Sequence, residues 1–232
     1  MAAGAFSSIL GGSPLEPASS KSMLKRLALI ALLAVALGLA MQGLILVVKL
    51  ASGGAFPGSR LFLDLAQGVT WSAVVCAGVG IGTVMTKARA LLMGVLGMIF
   101  APLALGLAKG AQQVVATALN NVAQPSVLSL AAISAVKAVE YGVLGWLLGK
   151  LVEKQNSHLS RYVLTGAVIG ALFGGTTTFL TYEAALQKGA PLATPQILGT
   201  ATSELVFPIG CALVIFLGQL VRLALPGEGG SH

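Results

Sequence analysis

Charge is scarce in this chain. Only 9% of its 232 residues are Asp, Glu, Lys or Arg, against about 25% in an ordinary soluble domain. That shortage excludes a water-exposed globular surface over most of the sequence. Histidine and cysteine are scarcer still, with two of each. His158 falls in a connecting segment and His232 is the last residue, so no Cys/His cluster has metal-ligand spacing. No histidine lies in an apolar stretch to activate a serine, and there is no ATP-binding motif, no regular arginine series and no carbonyl-filter sequence. Glu140 and Glu204 are two carboxylates with nothing beside them that suggests catalysis. The expectation is a protein that catalyses no reaction and holds no metal and no cofactor. Cys76 and Cys211 both fall inside apolar stretches and read as small packing residues.

The few charges are mostly basic, for a formal net charge of +7. Basic and aromatic residues are nowhere interleaved, so no nucleic-acid partner is expected. The plainer account is lipid. Lys and Arg at one end of apolar segments set orientation in a bilayer and meet anionic headgroups.

What the sequence has in quantity is long apolar runs. Residues 27–48 carry no charge at all. About 20 such residues form a helix roughly 30 Å long, the thickness of the hydrocarbon core. In lipid every backbone N–H and C=O needs an internal partner, which makes such runs helical. Six of them are read, over 27–48, 62–85, 90–110, 127–150, 161–182 and 197–222. The fold class expected is an all-α, polytopic membrane helix bundle. Residues 1–22 read as a flexible tail, 23–224 as the six-helix domain and 225–232 as a second tail. Lys25 and Arg26 before the first run also fit a secretory signal, but an apolar run reaching Val48 fits a retained span better.

Lys21, Lys25, Arg26, Lys87, Arg89, Lys150, Lys154, Arg161 and Arg222 gather at one set of helix ends, with fewer basic residues at the other. Both termini are therefore expected in the cytoplasm, in a plasma or inner membrane. The same residues mark three helical hairpins of about 60 to 65 residues, as internal repeats of transporters do. Any six-span chain obeying the orientation rule would show much the same.

Glycine is abundant, at 30 residues. Gly166, Gly170 and Gly174 recur every fourth residue, and Gly142, Gly145 and Gly149 share a face of the fourth helix. Small residues let membrane helices approach closely where hydrophobicity gives no drive to associate. The Gly166 stripe serves either packing within the chain or contact with another membrane subunit or a second copy. Gly78, Gly80 and Gly82 only superficially suggest a dinucleotide loop, since no strand precedes them. Pro102 and Pro208 each interrupt the pattern of one helix, as happens near transport sites and also where proline is merely tolerated.

Charges within a span are costly and are usually functional or paired. Lys137 and Glu140, three residues apart, share a helical face. With Gln42, Gln67, Thr177 and Glu204 they fall at similar depth, in the halves of the spans away from the basic ends. The expectation is a polar cavity open to the outer face, lined by these six residues, with Trp71, Tyr141 and Phe207 as apolar walls for a small polar or zwitterionic solute. The alternative is that the same charges lock helices together.

Two functional classes follow. One is a small-solute transporter or the membrane-embedded substrate-capture subunit of one. In its plan alone, a short six-span chain with both ends inside, the protein resembles the capture subunits of energy-coupling-factor vitamin transporters. That resemblance implies a ligand entering from the outer face. The other class is a non-catalytic accessory subunit of a larger membrane complex.

Overall fold

The computed structural model describes residues 17–84, 89–122 and 127–224. The expected tail segments 1–16 and 225–232 lie outside them. The described residues form helices and short connections without a strand. Helix α1 runs Pro17–Ala51, α2 Arg60–Val84, α3 Arg89–Ala118 and α4 Leu130–Glu153. Helices α5 (Leu159–Ile169) and α6 (Gly175–Gln187) are joined by a π-helical turn, Gly170–Gly174, into one continuous fifth span. Helix α7, Thr194–Ala224, is the sixth. Six helices long and apolar enough to cross a bilayer make this a multi-pass integral membrane protein.

The helices outrun the apolar stretches. Helix α1 starts at Pro17, inside the stretch read as a tail, and α3 continues to Ala118 rather than ending near residue 110. Hydropathy marks lipid, whereas the helix ends where its backbone is capped. Ser129, in extended conformation, accepts a hydrogen bond from the Ala132 N–H at 3.2 Å and starts α4 at Leu130, three residues later than expected. Helices α3, α4 and α6 each end on a left-handed residue, Asn120, Gln155 and Gly189. The next N–H in each case reaches back five residues, to Ala116, Leu151 and Ala185.

Neighbours in sequence pack together from α1 through α4. Helix α7 then lies against α1, and the α5–π–α6 span lies against α7. One stripe of α1, Ile30, Ala34, Gly38, Met41 and Ile45, is buried at spacings of three and four.

Glycine sets the closest approaches. On α3 and α4, Gly94 meets Gly142 and Trp146, Gly97 meets the Tyr141 carbonyl, Gly145 meets the Met93 carbonyl and Gly149 meets Ala90. At the same end, Glu153 Oε1 accepts a hydrogen bond from the Ala90 N–H at 2.8 Å, capping the start of α3 from the end of α4. The Gly166, Gly170 and Gly174 stripe faces α7, against Ile209, Leu205 and Glu204. It is an internal seam, which removes it as a surface for another subunit. Gly78, Gly80 and Gly82 sit within helix α2 and meet Phe100, Ile30 and Met93. They are packing glycines rather than a loop. Pro102 and Pro208 lie inside continuous helices.

Candidate functional site

A cavity of about 420 Å³ lies between the helices, and all six spans contribute to its wall. It reaches Val127, Leu128 and Leu192 in the connections before α4 and before α7. With six spans, that is the end of the bundle opposite the start of α1 and the finish of α7.

Of the expected site residues, Gln42 of α1, Gln67 of α2, Lys137 of α4, Thr177 of α6 and Glu204 of α7 line this space. Glu140 does not. Its side chain is fully buried behind Lys137. The i,i+3 spacing that brings Glu140 to Lys137 also turns it toward the packed interior. It therefore acts on the cavity through Lys137, and its assignment to the lining is corrected.

Lys137 is the pivot of the charged groups. Its Nζ donates to Glu140 Oε2 at 2.7 Å, and also to Glu204 Oε2 from the opposite side. One ammonium thus stands between two carboxylates from α4 and α7. Such an arrangement is strongly stabilised only while every partner remains, because a lone buried charge is severely penalised. Glu140 Oε1 is buried with no hydrogen-bond partner among the described residues.

The backbone around Glu204 is unusual on both sides. Pro208 has no N–H, so the Glu204 carbonyl lacks its ordinary i+4 donor. Opposite it, Gly174 at the end of the π turn lies against that carbonyl. π turns inside α-helices recur at functional sites. This one shifts the register of the fifth span within the glycine seam, between Gly166 and Thr177.

Trp71, Tyr141 and Phe207 form the aromatic wall that was expected. Their ring centroids are 5.6, 6.0 and 6.4 Å apart and all three pairs meet edge to face. The hydroxyls of Tyr141 and Thr177 are buried without a hydrogen-bond partner among the described residues. Unpaired buried polar atoms are rare and costly. Thr177 lines the cavity, with its hydroxyl turned into the packed wall.

Sequence reasoning missed the outer layer of the same site. Lys49 and Asp64 line the cavity 3.7 Å apart. Lys109 and Gln112 of α3 line it too, with Lys109 Nζ donating to Gln112 Oε1 at 3.2 Å. Gln196, Thr200 and Ser203 add polar groups from α7. The available signal was period: Gln196, Thr200, Ser203, Glu204 and Phe207 recur at three and four residues along one face of α7. Among the described residues no group of three His, Cys, Asp or Glu could hold a metal ion. Cys76 and Cys211 are buried and unbridged. Compared with protein-family models, with curated proteins and with solved structures, the chain matches none.

Proposed function

We propose that this protein binds a small polar solute within the membrane, as a transporter or as the substrate-capture subunit of one, and that the cavity faces the outer side. The observation that carries the reading is the convergence of polar side chains from all six spans on one space walled by three aromatic rings. Concave sites with apolar walls and a few placed polar groups are how proteins hold small molecules. Charge inside a membrane protein that faces a cavity is the usual mark of a solute or ion path. The basic residues at the opposite helix ends support cytoplasmic termini and an outward mouth. The accessory-subunit alternative is weakened, because the Gly166 stripe that suited it packs against α7 of the same chain.

Native mass spectrometry of the protein, gently extracted from its own membrane, tests the reading. A defined small molecule bound to the wild type and absent from Glu204→Gln is the expected result. A protein free of any small molecule, extracted only with other membrane subunits, would assign it to the accessory class instead.

A further inference from the structure

The charged groups of the cavity lie in two layers. Toward the mouth stand Lys49, Asp64 and Lys109, where Asp64 pairs with Lys49 at 3.7 Å and Lys109 Nζ donates to a neutral partner, Gln112 Oε1, at 3.2 Å. This layer holds two ammonium groups and one carboxylate. Deeper, the single ammonium of Lys137 is shared between Glu140, behind it, and Glu204, at the cavity. A carboxylate is the partner the first layer lacks, and an ammonium would complement Glu204, which has only a share of Lys137.

We infer that the solute is a zwitterion whose ammonium group sits deep, at Glu204, and whose carboxylate points to the mouth, at Lys109. This rests on the solute-binding reading above. Glu204 meets Lys137 through Oε2, leaving Oε1 for the incoming ammonium. Trp71 is the half-buried ring of the aromatic wall and can meet a cation there, as Lys137 Nζ, 5.8 Å from the Tyr141 ring centroid, already does inside it.

The layers also set the length of the solute. Asp64 and Trp71 are two turns apart on α2, as are Lys49 and Gln42 on α1, which is about 10 Å along each helix. On α7 the end of the Lys49 side chain lies against Gly199, five residues and about 7.5 Å along the helix from Glu204. The two charges of the solute are therefore separated by a spacer, unlike those of an α-amino acid, and the spacer lies on the aromatic wall.

Phe in place of Trp146 leaves Trp71 as the only tryptophan of the two, and its emission then reports on the cavity. With this protein in lipid nanodiscs, 6-aminohexanoate, hexylamine, hexanoate and glycine are titrated separately. The expected result is saturable binding of 6-aminohexanoate, roughly tenfold or more tighter than the other three, as for a charge-assisted hydrogen bond at each end. Glu204→Gln should remove its advantage over hexanoate, and Lys109→Gln its advantage over hexylamine. Equal binding of all four, preference for a singly charged compound or for glycine, or binding of none would overturn the inference. The comparison of compounds on the Trp146→Phe protein decides this even if one variant fails to fold. A native bound molecule with a single sign of charge would also overturn it while leaving the solute-binding reading intact. Absence of any native solute would overturn the reading itself.

Discussion

The two halves of this bundle use the same helices for opposite purposes. In the half that holds the chain ends, glycine brings backbones together. Gly94, Gly97, Gly142, Gly145 and Gly149 close α3 on α4, and Gly166, Gly170 and Gly174 close the fifth span on α7. In the other half the same helices part around the cavity. Lys109, Gln112, Ile133 and Lys137 line it from α3 and α4, and Thr177, Thr181, Thr200 and Ser203 from the fifth span and α7. The lesson is that in lipid a cavity has to be built, since hydrophobicity neither opens nor closes it. Small residues seal one end by dispersion contacts. At the other end polar side chains take the place of the glycine contacts.

The largest expected effect lies at the boundary between the halves. Lys137→Met leaves two carboxylates buried together and should cost roughly 3–5 kcal/mol, measured as loss of thermal stability of the purified protein. Adding Glu140→Gln and Glu204→Gln to that variant should recover most of the loss while leaving solute binding abolished. If Lys137→Met alone is harmless, the triad does not hold α4 to α7.

Next comes the sealed half. An added methyl at Gly97 would strike the Tyr141 carbonyl, and Gly97→Ala should cost about 1–3 kcal/mol. Gly110 meets nothing within 4 Å, so Gly110→Ala should be neutral or gain up to about 1 kcal/mol from helix propensity. The pair of denaturation curves sharpens the contrast, because one substitution on one helix takes opposite signs. Equal losses at both positions would show that the glycine seam is not what closes the bundle. The smallest effect on folding belongs to the cavity wall. Thr177→Val keeps the shape and should leave stability unchanged or slightly raised in the same denaturation curves, since it removes an unpaired hydroxyl.

Much of this arrangement was legible in the sequence, for a physical reason. Charge within a span is expensive, so Lys137, Glu140 and Glu204 stand out against apolar neighbours, and hydropathy reports their depth. Depth is not direction. Helices that must be apolar on their lipid faces and their packed faces alike give little indication of which way a residue points. Hence Glu140 was placed in the cavity when it stands behind it, and the Gly166 stripe was left open between an internal and an external partner. Lys49, Asp64 and Lys109 lie nearer the helix ends, where charge is cheap, so their presence in the sequence signals little. Only the fold shows them as the upper wall of one space. The π turn at Gly170–Gly174 had no composition of its own beyond glycine, which the packing seam already explained.

The most direct test of the account is accessibility of the cavity from one side of the membrane. Single cysteines at Thr181 and Thr200 would be placed in a Cys76→Ala, Cys211→Ala background and treated with a membrane-impermeant maleimide on intact cells. A solute-binding cavity open to the outer face predicts labelling at both positions from outside, and none at Gly106, which is exposed but lies outside the cavity. Labelling at Thr181 and Thr200 only in inside-out vesicles, or at neither from either side, would contradict it.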